Sequence, residues 1–147
     1  MSASTTAANP ASGIAAAPPG PRATLWVLRS FAVLHSLCAV GQPVLAGIYL
    51  GGDVDAIAVH EINASVVSGL GIAQLVAAIV YVWAGTGRAW PLWASLGLVL
   101  AEQVQAGLGY EGIVAIHVPL GVTVIALQLL LTVWVFRASA RRSRRAS

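Results

Sequence analysis

Four long apolar stretches divide this chain, at about residues 24–50, 56–83, 90–108 and 113–136. Short polar or glycine-rich breaks separate them. Each stretch is close to the roughly 20 residues that carry an α-helix across a ~30 Å hydrocarbon core. Apolar positions fill all faces of these stretches, as they do in helices whose solvent is lipid. The pattern predicts an all-α fold: a four-helix transmembrane bundle of up-down topology, since such short connections make successive helices antiparallel neighbours.

The breaks have turn chemistry. Gly51-Gly52 ends the first stretch, and Asp53 and Asp55 are short acceptors suited to capping the second helix. Gly85 to Arg88 (GTGR) forms the next turn. Pro91 is well placed at a helix start, with Trp90 and Trp93 as interfacial anchors. Gly109 to Gly112 (GYEG) forms the last turn. Pro43 removes one backbone bond inside the first helix and is expected to kink it.

The flanks differ from the spans. Residues 1–23 are rich in Ala, Ser, Thr, Pro and Gly without a periodic apolar face, and are expected to be a disordered tail. They lack the basic start and small-residue cleavage site of a secretory signal, so the expectation is an uncleaved tail. Residues 137–147 are a basic tail containing Arg137, Arg141, Arg142, Arg144 and Arg145. Arg22, Arg88 and this tail fall on one side of the bundle, whereas the two turns on the other side hold Asp53, Asp55 and Glu111. Lys/Arg asymmetry of this kind sets orientation, so both termini are expected to be cytoplasmic in a multi-pass protein of the cell's inner (plasma) membrane. The arginine tail is read as a topological anchor, with no nucleic acid as partner.

Composition agrees with this picture. The 147 residues are 58% hydrophobic and only 9% charged, against about 25% charged in a soluble domain. Cys38 is the single cysteine, so there is neither an intrachain disulfide nor a CxxCH attachment site, and any haem would be held non-covalently. Nucleophile–base constellations, phosphate-binding glycine loops and Cys/His zinc patterns are absent. Gly69-Leu70-Gly71 sits in an apolar helix without the strand a nucleotide fold requires.

Polar side chains inside lipid are expensive and become functional candidates by default. Counting ~1.5 Å per residue, His60 and His117 lie about one turn inside the ends of spans two and four. Gln105 lies at similar depth, and Gln42 and Glu102 lie one to two turns deeper, so these groups are expected to converge on one layer. In a square bundle, spans two and four are diagonal. Helices pack ~8–10 Å apart, so two histidines across the diagonal leave room for one metal between them, the arrangement of bis-histidine haem iron. Ala64, Ser68 and Gly71 follow His60 at helical spacing, and Gly121 follows His117 by one turn. Small residues would let a flat macrocycle lie against the helices. The same residues also suit close helix packing, and a separate metal site is a third reading. His35, which shares a helix face with Gln42, is read as a hydrogen-bonding or proton-handling group rather than a ligand.

Gln42-Pro43-Val44-Leu45-Ala46-Gly47, His60-Glu61-Ile62-Asn63, Gln105, and Ala115-Ile116-His117-Val118-Pro119-Leu120-Gly121 together resemble a family of small, uncharacterised bacterial four-helix integral membrane proteins. The layout is also similar to one half of haem A synthase, whose halves place a haem-ligating histidine on their second and fourth helices. That likeness implies axial ligand roles for His60 and His117. It departs at Glu61, where haem A synthase has an arginine, and at its half length, which leaves no second haem site. Haem A synthesis itself is therefore not implied.

Two functions remain open from the sequence. The first is a cytochrome b-like protein that holds haem b through His60 and His117 for electron transfer or haem handling, with Gln42, Gln105 and Glu102 bonding the ligands or propionates and Gly71 and Gly121 giving room. The second is a cofactor-free structural or accessory subunit; a proton-coupled carrier using Glu102 and His35 is a further alternative. The partners implied are the lipid bilayer and a membrane redox partner or quinone, with homo- and hetero-oligomers both open. No reaction is assigned.

Overall fold

The structure is a computed structural model that describes residues 22–144. Four helices account for most of it: α1 Arg22–Leu50, α2 Ala56–Trp83, α3 Trp90–Tyr110 and α4 Val114–Phe136. A short 3-10 turn follows at Ala138–Arg141. The tail expected over residues 1–23 lies outside the described residues except for its last two, Arg22 and Ala23, which already belong to α1. Among the described residues there is no strand.

α1, α2 and α4 are long and apolar enough to cross a membrane. α3 is less apolar because it carries Glu102, Gln103, Gln105 and several glycines, yet its 21 residues reach about 31 Å. It runs two residues further than its apolar pattern, because Gly109 and Tyr110 continue the helix. α1 is helical on both sides of Pro43 and α4 on both sides of Pro119. Asp55 makes no side-chain cap. Instead Asp53 Oδ1 accepts from the Asp55 N–H at 3.1 Å, and backbone carbonyls of the turn satisfy the first amides of α2.

Each helix packs against its two sequence neighbours, with α1 closing the ring against α4; α2 and α4 are diagonal. The burial pattern is inside-out relative to a water-soluble protein. Leu37, Ile62, Leu130 and Val133 are exposed, while His35, Gln74, Ser95 and Gln128 have no accessible surface. Such a chain meets lipid with its apolar side chains and keeps its polar groups within the bundle. It is a membrane protein.

The two ends of the bundle are unlike. All five tryptophans, Trp26, Trp83, Trp90, Trp93 and Trp134, lie at the end bearing the termini, where amphipathic rings anchor an interface. Trp90 and Trp134 stack edge to face at 4.5 Å. Arg29 is buried there; its Nε donates to the Val135 carbonyl at 2.8 Å and its guanidinium lies over Trp26 and Phe136. The residues just past α4 are not a free tail. Tyr81 Oη donates to the Ala140 carbonyl at 2.9 Å, the Arg144 N–H donates to Thr86 O at 3.0 Å, and Ala140 and Ser143 are buried. This segment clamps the turn between α2 and α3, where Thr86 is held at φ 53°, a left-handed conformation unusual for a β-branched residue.

Candidate functional site: a histidine cleft above a buried polar network

The membrane-interior polar residues form two layers, not the single one expected from their depths. The layer further from the termini holds His60 and His117. Their rings meet across the bundle diagonal with centroids 6.4 Å apart and planes inclined by 57°. His117 Nδ1 lies 2.9 Å from the Gln105 carbonyl oxygen, and His60 Nδ1 lies 3.2 Å from the Gln42 carbonyl oxygen. A carbonyl can only accept, so the His117 contact requires Nδ1–H and leaves Nε2 with its lone pair, and the His60 contact does the same when the ring donates to Gln42. Metal-binding histidines are oriented in this way, by donating the other ring nitrogen to a carbonyl.

Two glutamines hold the rings in place. The Gln105 amide nitrogen donates to the His117 carbonyl at 2.8 Å. The Gln42 amide grips α2: turned so that its oxygen accepts from the Ala64 N–H at 2.9 Å, its nitrogen reaches the His60 carbonyl at 3.3 Å and His60 Nδ1 at 2.9 Å. Gln42 therefore decides the tautomer of His60. The ring donates to its carbonyl with Nε2 free, or accepts from its amide with the proton on Nε2.

These groups line a cleft of about 330 Å³, within the range of small-molecule sites. Ala64, Ser68 and Gly121 border it, together with Ala46, Gly47, Val118 and Val122. Leu50, Val118 and Val122 are also exposed on the outer surface, so the cleft opens toward lipid between α1 and α4. Gly121 is a close approach: a Cβ there would lie 2.6 Å from the Gln105 amide nitrogen. Gly109, one turn past Gln105, is another that the sequence pattern left in a turn. A Cβ on it would lie 3.0 Å from the His117 ring. Its signal was the i, i+4 spacing from Gln105.

The second layer lies nearer the middle of α1. Gln74 and Gln128 form a reciprocal amide pair across the α2–α4 diagonal, with N–H···O distances of 3.1 and 2.8 Å. Gln128 also donates to the Ala32 carbonyl at 3.1 Å, and Ser36 and Thr132 share a hydroxyl contact at 2.8 Å. His35 Nδ1 lies 3.4 Å from Gln74 Oε1, and His35 Nε2 lies 2.9 Å from Glu102 Oε1, an ion-pair contact rather than a straight hydrogen bond.

Two expectations change accordingly. Gly71 does not border the histidine cleft: a Cβ there would strike Glu102 Oε2 and lie 3.4 Å from the His35 ring. Its smallness makes room for the carboxylate of the second layer. Glu102 does border the cleft, but its partner is His35 rather than either proposed ligand. His35, expected to be a hydrogen-bonding or proton-handling group, contacts Gln74 and Glu102. Depth along α2 explains the first change: Gly71 shares a helix face with His60 but lies 11 positions beyond it, roughly 16 Å along the axis.

The donor set discriminates among cofactors. Among the described residues no group of three or more His, Cys, Asp or Glu side chains could hold a metal ion. Two imidazoles alone make a poor cage for a bare ion, which usually takes four or more protein or water ligands. They suit an iron whose other four positions are filled by a macrocycle. Searches of protein-family models, curated proteins and solved structures found no match to this chain.

Proposed function

We propose that the protein binds one b-type haem through His60 and His117 and serves electron transfer or haem handling in the membrane. The observation that carries this reading is the pairing of two diagonal imidazoles whose Nδ1 atoms face backbone carbonyls. The residues fit the group: both ligands can present Nε2, and Ala64, Ser68 and Gly121 keep the flanking walls low. A bound haem would supply one-electron redox chemistry. The chain's own part is to orient the two rings through Gln42 and Gln105, exclude water with the apolar walls, and open to lipid beside α1 and α4.

The resemblance to the halves of haem A synthase points the same way. The arginine asymmetry supports four spans with both termini in the cytoplasm and the cleft toward the opposite face. Reporters fused to the C-terminus test that orientation: one that works only in the cytoplasm should be active, and activity instead of one that works only outside the cytoplasm would overturn it.

The haem reading is tested by the absorption spectrum of detergent-purified protein after haem addition. A low-spin Soret band with sharp α and β bands on reduction is expected. His60→Ala and His117→Ala should each abolish it, and His35→Ala should leave it largely intact. A colourless wild-type protein would leave the second reading, a cofactor-free accessory subunit whose polar residues bond helix to helix.

A further inference from the structure

Glu102 has a carboxylate oxygen with no assigned partner. The residue is 5% exposed, and neither of its oxygens makes a straight hydrogen bond. Oε1 faces His35 Nε2 at 2.9 Å. Two lone pairs at that distance would repel, so a proton sits on one atom or the other. His35 Nδ1 in turn faces the oxygen of the Gln74 amide, whose identity is fixed because the Gln128 amide nitrogen donates both to the Ala32 carbonyl and to this oxygen. The pair therefore already holds a proton between ring and carboxylate. Oε2 remains. It lies over Gly71, where no side chain covers it, and Glu102 borders the same cleft as His60 and His117. A buried polar atom without a partner is costly, and this one has room for a proton at the edge of the cleft.

We propose that Glu102, supported by His35, is a proton-exchange site inside the membrane that takes up one proton at Oε2 when the cleft gains an electron and releases it when the electron leaves. The proton exchange stands on Glu102 and His35 alone, whereas its coupling to an electron rests on the haem reading. The charges balance. One electron enters from a membrane reductant of the quinol or redox-subunit class, and one proton enters from the aqueous interface beside Leu50, where the cleft reaches the end of α1, to make a neutral carboxyl beside the imidazolium. No bond to carbon forms or breaks. Uncompensated charge in a low-dielectric interior is expensive, and this site removes it.

The ionisable surroundings are few. α1 presents His35, α2 presents His60, and α4 presents His117. On α3, Glu102 is the ionisable group that borders the cleft. Arg29 lies six residues from His35, roughly 9 Å along α1, with its Nε bonded to the Val135 carbonyl.

The experiment is reduced-minus-oxidised infrared spectroscopy of the haem-loaded protein, with the midpoint potential followed against pH. A protonated-carboxyl band that appears on reduction and shifts in heavy water is expected, together with a midpoint that falls as pH rises. Glu102→Gln, which keeps the shape of the side chain, should remove the band and flatten the pH dependence while keeping the low-spin spectrum. His35→Gln, a second variant should the first not fold, should diminish both effects. A band and a pH dependence unchanged in these variants would overturn the proposal. If the protein binds no haem, the earlier reading fails by itself, and an infrared pH titration of the colourless protein decides the proton site. A carboxyl band that comes and goes with pH and vanishes in Glu102→Gln supports it, and the absence of any such band overturns it.

Discussion

Gln105 and His117 hold each other twice across the α3–α4 interface: the glutamine amide donates to the histidine carbonyl at 2.8 Å, and the histidine Nδ1 donates to the glutamine carbonyl at 2.9 Å. The His117 carbonyl lies in the first turn of α4, two residues before Pro119, whose missing N–H withdraws a helical donor from the Ala115 carbonyl; the glutamine bond ties this turn to α3. Gln105→Ala removes the amide's bond to the His117 backbone carbonyl, which ties the start of α4 to α3, and keeps the ring's own bond to the backbone carbonyl of residue 105. Loss of such an orienting contact typically weakens metal affinity by roughly 10- to 100-fold. Haem titration of the variant should show a weakening in that range with the low-spin spectrum retained at saturation. Unaltered affinity would mean that the Gln105 carbonyl alone positions the ring.

Gly121 and Gly71 separate the two layers experimentally. Gly121 borders the histidine cleft and Gly71 the His35–Glu102 pair. Gly121→Leu should exclude the haem by filling the cleft beside Gln105. Gly71→Leu should disturb the second layer, at a cost of about 1–3 kcal/mol from overpacking. Spectral titration and thermal melting in detergent, measured on both variants, test the division. Equal loss of haem binding in both would contradict the placement of Gly71 in a separate layer.

At the end bearing the termini, Tyr81 ties the C-terminal segment to the turn between α2 and α3. Its hydroxyl donates to the Ala140 carbonyl at 2.9 Å and accepts from the Arg88 N–H at 3.3 Å. Gly87 packs directly on the ring, and a Cβ there would collide with it. Tyr81→Phe leaves a buried carbonyl without its donor and should cost about 1–3 kcal/mol. The segment after α4 should then become more susceptible to protease. Unchanged protection of residues 137–144 would show that Ser143 and Arg144 suffice to hold it.

Much of the fold was readable because helix length and apolar run length obey the same constraint, the thickness of the hydrocarbon core. The four helices, their order and the diagonal placement of His60 and His117 follow from that constraint and from short loops. The division of polar residues into two layers was not readable in this way. Depth along a helix can be counted at 1.5 Å per residue, but whether Glu102 turns toward His35 or toward His117 depends on the rotation of α3 against three neighbours. Spacing within one helix does not contain that rotation. The packing of residues 138–144 escaped for another reason: an arginine-rich composition says where a segment meets water, and nothing of the backbone carbonyl at Ala140 that Tyr81 binds.

The Gln74–Gln128 pair offers a test of how the second layer is held together. Each amide donates to the other across the bundle diagonal, and both side chains are fully buried. Replacing one glutamine with leucine leaves the opposite amide with an unmatched donor and acceptor, and Gln74→Leu also removes the oxygen that faces His35 Nδ1. A buried polar group stranded in this way costs about 1–3 kcal/mol. Replacing both removes the unmatched pair together, and leucine fills a similar volume. The double variant should therefore be destabilised by less than the sum of the two single variants, with an interaction energy in the ~0.5–3 kcal/mol range that contacting residues show. Interhelical hydrogen bonds in membranes average only about 0.6 kcal/mol, so a coupling near the upper end of that range would mark the pair as part of a cooperative network with His35 and Ala32. Strict additivity, measured by reversible unfolding in mixed detergent, would mean that each glutamine is stabilised by its other neighbours, Ser95 for Gln74 and the Ala32 carbonyl for Gln128, and that the reciprocal amide contact contributes nothing of its own.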